Sequence, residues 1–159
     1  MQSGEVAAIC VSCKRGSQKK KVDSAMLIAG WGIEGDAHAG NWHRQVSLLA
    51  VESVEKIRRM GVEVGPGSFA ENITTRGLNL TVLAVGQRLR IGEAELEITQ
   101  IGKDCHSRCA IYEQAGDCVM PTEGVFARVH KGGPVKTEDR IDLLTETPGK
   151  ETAKTGTDK

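Results

Sequence analysis

The chain has 159 residues, 39% of them hydrophobic, and its 21 Lys plus Arg balance 21 Asp plus Glu, so the formal net charge is zero. This length suits one compact domain, and the balance removes the global field that would draw the chain to nucleic acid or an anionic membrane. Aromatic residues are only 3% of the total, too few for base-stacking platforms, and no apolar run reaches the length of a membrane span, so neither partner is expected.

Val6 to Val11, VAAICV, is short, apolar and rich in small and β-branched residues, which predicts a buried first strand. A basic loop, KRGSQKKK, follows. The stretch AGWGIEGDAHAGNWH then sets Gly30, Gly32, Gly35 and Gly40 among Trp31, His38, Trp42 and His43, a glycine density that excludes a regular helix and predicts a long, shaped loop. Gln45 to Ala50, QVSLLA, reads as a strand. From Val51 the spacing turns helical: Val51, Val54 and Ile57 share a face, Glu52/Lys56 and Glu55/Arg59 are i,i+4 pairs, and Gly61 is placed to end a helix over 51–60. QRLRIG and AELEITQI alternate apolar with polar residues about Gly92-Glu93, as in a hairpin. The segment 124–144 repeats the theme, with Val125, Ala127 and Val129 on one face and Phe126, Arg128 and His130 on the other. Short strands joined by glycine turns predict a mostly β fold, a small closed or partly open β-barrel with one or two short helices. TETPGKETAKTGTDK lacks any large apolar residue, so the expected organisation is one domain over 1–144 and a disordered tail over 145–159.

Chemistry concentrates between Ile98 and Cys118, ITQIGKDCHSRCAIYEQAGDC, which holds three of the five cysteines. An odd number of thiols, with no secretory signal at the N-terminus, argues against a disulfide framework and for a cytoplasmic chain. Cys10-x-x-Cys13 and Cys105-x-x-x-Cys109 offer four thiolates to structural zinc, but a three-residue spacing on an extended strand points Cys10 and Cys13 to opposite faces. Cys10 and Cys118 read as buried and inert. Cys105 follows a strand and Gly102, and Lys103, His106 and Arg108 flank it; positive neighbours favour the thiolate, the form that is both nucleophile and metal ligand. Cys109 lies four residues on, a second or resolving sulfur if the turn is helical. His38 and His43 are candidate ligands or proton donors. Arg44 reads as a surface charge, Arg128 within an apolar strand asks for an anionic ligand or a carboxylate partner, and Glu71-Asn72 offers an acceptor beside an amide.

Taken in order, GDAHAG, RQVSLL, GSFAENITT, LAVGQRLRIG, ITQIGKDCH and GVFARVHKGG resemble the stand-alone MOSC domain, the family named after the C-terminal domain of molybdenum cofactor sulfurase, from about Val6 to Leu144. The resemblance implies a β-barrel, similar to the β-barrel domain of pyruvate kinase, with one essential cysteine that binds the molybdenum cofactor or carries sulfur for it as a persulfide. Carried over by motif, that cysteine is Cys105, which would also ligate the metal, with His106 and Cys109 beside it. The cofactor-binding positions would be Gly35, Asp36 and His38, Arg44 and Gln45, Glu71 and Asn72, Lys103 and Arg128. Ala70 stands where the family usually has glycine, and Cys13 has no counterpart.

The leading function that follows is cofactor binding or sulfur carriage during molybdoenzyme maturation. Its expected partners are a cysteine desulfurase or other sulfur donor, and a molybdoenzyme or cofactor biosynthesis protein. No pyridoxal phosphate site is expected in this chain itself. The alternatives are a molybdenum-dependent reductase of N-hydroxylated substrates, with Cys105 as permanent ligand, and a structural zinc or cofactor-storage module.

Overall fold

The computed structural model describes residues 3–14, 18–102 and 123–144. In chain order the elements are β1 (Ser3–Val11), β2 (Lys20–Val22), β3 (Ser24–Ile28), β4 (Gly32–Ile33), β5 (Val46–Ala50), α1 (Val51–Arg58), β6 (Ile73–Arg76), a 3₁₀ turn (Leu80–Val82), β7 (Arg88–Ile91), β8 (Ala94–Ile101), β9 (Val125–Lys131), β10 (Gly133–Lys136) and β11 (Arg140–Leu143). The strands β11-β7-β8-β9-β5-β6-β1 form a ring that β1 closes by pairing with both β11, Gly4 opposite Ile141, and β6, Ile9 opposite Ile73. Closure leaves the ring without a free edge, the usual solution for short antiparallel strands. β2 hangs on the far end of β1, and β10-β3-β4 form a second, three-stranded sheet. Among the described residues no helix is long and apolar enough to cross a membrane. The expected tail, 145–159, lies outside the described residues.

The barrel interior is filled by Val6, Ile9, Val46, Leu48, Ile73, Leu89, Leu96, Ile98, Val125, Ala127 and their neighbours. A second core lies outside the ring, where Val54 and Ile57 of α1 and Val62, Val64 and Phe69 cover Leu49 and Phe126. This is why β5 is buried at every position: Val46 and Leu48 point inward while Leu49 points under the helix. The apolar run QVSLLA is the sequence mark of a strand covered on both faces. β5 and β6 pair in parallel, which requires a crossover, and α1 with the chain to Asn72 supplies it.

The expected hairpin is β7–β8, with Gly92 at φ +58° in its turn and Arg88 opposite Glu97, Arg90 opposite Glu95, a favourable cross-strand charge pattern. The alternation over 124–144 holds as β9 to β11. Sequence patterning passed over β3, β4 and β6, which are short and carry little alternation, and part of the basic loop, Lys20–Val22, is strand β2. The helix ends at Arg58, with Gly61 at φ +91° beyond it. Its charges do not form the i,i+4 pairs expected. Glu52 instead accepts the Gly77 N–H at 3.0 Å, Glu55 pairs with Arg58 at 3.1 Å, and Lys56 pairs with Glu123. For Glu52 and Lys56 tertiary partners outcompete the exposed i,i+4 pair because such a pair contributes only about 0.2–0.5 kcal/mol.

Ala70 sits at φ +63°, the left-handed region that costs a Cβ-bearing residue about 1–2 kcal/mol. It does so because the turn before Glu71 is shaped for glycine. Ala70→Gly is expected to stabilise the protein by about 0.5–1 kcal/mol, the relieved strain less the added freedom of the unfolded chain; urea unfolding at unchanged m-value checks it.

Candidate functional site

β1 runs out at Val11, and Ser12 is met there by Asp36 from the glycine-rich loop. Asp36 Oδ1 accepts the Ser12 N–H at 3.0 Å and Lys19 Nζ at 2.8 Å, and Oδ2 accepts the His38 N–H at 3.0 Å. Lys19 Nζ also reaches Ser12 Oγ at 3.1 Å, and the Ala37 N–H donates to the Ser12 carbonyl. Both side chains of the Lys19–Asp36 pair are fully buried. Burial opposes the charge on Asp36, but the hydrogen bond from Lys19, those from the His38 and Ser12 N–H groups, and the Lys19 charge together hold its carboxyl below the ordinary carboxylate range. A buried ion is tolerated only when every lone pair is answered in this way.

Beneath this pair lies a second polar knot. The Lys19 N–H donates to the Gly67 carbonyl, and Gly67 is at φ +87° with the Lys19 carbonyl oxygen 2.2 Å from where a Cβ would stand, so only glycine fits. Glu71, wholly buried, accepts the Gly67 N–H at 2.8 Å, Thr74 Oγ1 at 2.9 Å and the Phe69 N–H at 3.2 Å. Burial pushes its carboxyl up, and these donors with its own N–H offset only part of that. Asn72 Oδ1 accepts both the Ser47 N–H and Oγ, and its Nδ2 donates to the Cys10 carbonyl at 3.1 Å. Gln45 Oε1 accepts the Val129 N–H at 2.9 Å. Cys10 is buried, and burial with the nearby Glu71 charge pushes its thiol up to about 12, which agrees with an inert cysteine. Cys13 is exposed just past the strand end.

The glycine-rich loop carries the Asp36 anchor on to a cationic cluster. Trp42 Nε1 donates to the His38 carbonyl at 2.8 Å, and the two rings stack at 6.5 Å. Arg44 Cζ lies 5.9 Å from the Trp42 ring and 5.2 Å from that of Phe126, and its Nε donates to Gln100 Oε1 at 3.1 Å. His43 Nε2 meets the same oxygen at 2.9 Å, and Gln100 Nε2 donates to the Gly102 carbonyl at 2.8 Å. Among the described residues no carboxylate pairs with Arg44.

Asp36, Gln45, Glu71 and Asn72 thus spend their side chains inside the protein, holding β1, β5, β9 and two loops together. Gly35, at φ +84°, faces open space at the loop's turn. His38 and Arg44 are half-buried at the surface of the same loop. Arg128 is exposed on the outer face of β9, opposite Glu97 in β8, so the argument from burial fails for it: its strand is apolar on the inner face, and Arg128 points the other way. It shares that outer face with Phe126, two residues away. Lys103, Cys105, His106, Arg108, Cys109 and Cys118 lie outside the described residues. Gly102 and Gly124, which bracket them, are joined by an N–H···O bond of 2.6 Å. Among the described residues no group of three or more His, Cys, Asp or Glu is arranged to hold a metal. A cavity of about 580 Å³ lies between α1, the chain at Gly77–Leu80 and Glu123; none of the candidate catalytic, cofactor-binding or metal-ligating residues lines it.

Lys19 and Gln100 were not singled out as residues. Lys19 is one of three consecutive lysines and nothing in the sequence distinguishes the buried one, while Gln100 sits in a strand where a polar residue is the ordinary outward choice.

A family model described as the MOSC domain matches residues 35–142. Among solved structures, the YuaD protein from Bacillus subtilis is similar at a TM-score of 0.74 and 21% identity, over 87% of this chain and 94% of that one. YiiM from Geobacillus stearothermophilus is similar at 0.68 and 18% identity, over 92% and 77%, and YiiM from Escherichia coli at 0.62 and 21%, over 89% and 70%. At such identities the likeness establishes the fold. No curated protein matches the chain.

Lys19→Met strands the Asp36 carboxylate and is expected to cost about 3–5 kcal/mol, the range for breaking a buried pair from one side; Lys19→Met with Asp36→Leu should recover part of it. The two buried carboxylates give opposite pH slopes. The stability from Asp36, whose folded pKa is depressed, is present above its ordinary value near pH 4 and is lost as pH falls below it. Glu71, whose folded pKa is raised, makes stability fall as pH climbs from its ordinary value through the raised one. Chemical unfolding between pH 3 and 7 should show both limbs, and Glu71→Gln should flatten only the upper one.

Proposed function

The chain belongs to the MOSC domain family, and from that premise we propose that it binds the molybdenum cofactor, or carries sulfur for it as a persulfide on Cys105, during maturation of a molybdoenzyme. The observation that carries this reading is the Arg44 guanidinium, at the surface with no carboxylate partner among the described residues, bonded through Gln100 to the strand that precedes Cys105 in the sequence. The donor set fits the cofactor: a fork of guanidinium N–H groups matches a phosphate tail, and a thiolate is a soft ligand suited to a thiophilic metal. When bound, the cofactor would supply that metal centre. Arg44 would hold its phosphate, with Arg128 on the same side of β9 as a second cation, while the Asp36, Gln45, Glu71 and Asn72 bonds keep the loops in place.

For sulfur carriage, the Cys105 thiolate attacks the outer sulfur of a persulfide on a separate donor protein, such as a cysteine desulfurase. An S–S bond forms to Cys105, the donor's S–S bond breaks, and the donor leaves as a thiolate. Lys103, His106 and Arg108, which flank Cys105 in the sequence, favour the attacking thiolate by their charge, and Cys109 is a second sulfur four residues on. The recipient is a molybdoenzyme or a cofactor biosynthesis protein.

Incubation with a cysteine desulfurase and cysteine should add the mass of one sulfur atom to the intact chain. Cys105→Ser should abolish both that adduct and cofactor binding, because a hydroxyl forms no persulfide and is a harder ligand. Loading that survives Cys105→Ser and is lost in Cys109→Ser would move the role to the second thiol. Zinc as the sole metal after purification would favour a structural module, and turnover of N-hydroxylated substrates a reductase. Arg44→Ala should weaken pterin binding by about 1.5–3 kcal/mol, the range for hydrogen bonds to charged groups.

A further inference from the structure

Gln100 occupies an unusual place in the cluster around Arg44. Its Nε2 is committed to the Gly102 carbonyl at 2.8 Å, which fixes the amide's orientation and leaves Oε1 as acceptor only. That oxygen takes the Arg44 Nε–H at 3.1 Å and, at 2.9 Å, His43 Nε2, so His43 carries its proton on Nε2 and both lone pairs of the oxygen are used. The Arg44 plane is then held at Nε by Gln100 and at Cζ by the Trp42 and Phe126 rings at 5.9 and 5.2 Å. Among the described residues, its two Nη atoms are the donors left without a partner, and they form the outward edge of the fork.

We infer that Gln100, with His43, is the positioning element of an oxyanion site, aiming the Nη edge of Arg44 at a phosphate monoester. The inference deepens the cofactor reading by naming the phosphate end as what this cluster recognises, and it rests on that reading only for the identity of the natural ligand. A free arginine of this length samples many rotamers, and ordering it on binding weakens affinity; a cluster that orders it beforehand removes that cost. A lysine at this position has neither the Nε–H for Gln100 nor a second parallel donor, so Gln100 aids anion binding only through an arginine.

The experiment is titration of the full chain with phenyl phosphate at low ionic strength. Trp42 fluorescence is the readout, in a Trp31→Phe background that leaves one of the two tryptophans. Gln100→Met, of similar length but without the acceptor, is expected to weaken binding about 5- to 10-fold. Arg44→Lys should weaken it comparably, and adding Gln100→Met to Arg44→Lys should change affinity less than about 2-fold. A residue that merely shaped the sheet would cost the same in both backgrounds, and that additive result overturns the proposal. Undiminished binding in Gln100→Met alone, or no response of the parent protein to phenyl phosphate, overturns it as well. The cofactor reading is tested separately by pterin and sulfur loading: coupled phenyl phosphate binding without either leaves the oxyanion site standing and removes that reading. Loading that is indifferent to Gln100, with no coupling, does the reverse.

Discussion

The buried pair between Lys19 and Asp36 is the constraint on which the surface chemistry depends. It joins the end of β1 to the glycine-rich loop, and through the Asp36 bond to the His38 N–H it fixes where that loop turns. His38 then carries Trp42 by its carbonyl and its ring, and Trp42 lies under Arg44. A glycine-rich segment has much conformational freedom to lose, and a charged pair in a dry site restricts it because any other geometry leaves an ion unanswered. The loop is thus ordered from one end by electrostatics and from the other by Gln100.

Two layers of polar residues follow from this arrangement. The inner layer, Asp36, Gln45, Glu71 and Asn72, has its hydrogen-bonding capacity turned to backbone groups of β1, β5, β9 and the turn at Gly67. The outer layer, His43, Arg44 and Gln100, meets solvent at the end of β8. The first layer needs low dielectric to be strong and the second needs access to ligand, so one is sealed inside and the other lies at the surface. Cys10 shows the same partition among the thiols: beside Glu71 its proton is held to high pH, which keeps it out of nucleophilic chemistry.

The ring of strands makes this economy possible. Because β5 is covered by the barrel interior on one face and by α1 on the other, the two residues that lead into it, Arg44 and Gln45, take opposite roles, one at the surface and one sealed against Val129. The parallel β5–β6 pair forces the crossover that brings Glu71 and Asn72 back beside Cys10 of β1, and the strained backbone at Ala70 is the local cost of that return.

The sequence by itself determined the elements whose signal is periodic or compositional: the buried run of β1, the strand β5, the helix from Val51, the β7–β8 hairpin about Gly92 and the alternation of β9. From these, with the ordered motifs, came the barrel and the family, since hydrophobic period and turn chemistry are local properties of the chain. Tertiary structure alone decided what each polar side chain does. It chose Lys19 over its neighbours in KRGSQKKK, turned Glu71 and Asn72 inward, left Arg128 in solvent, re-paired the charges of α1 and recruited Gln100 from an ordinary strand position. The physical reason is that a polar group's role is set by which distant donors and acceptors share its desolvated volume, and that volume exists only after the ring has closed.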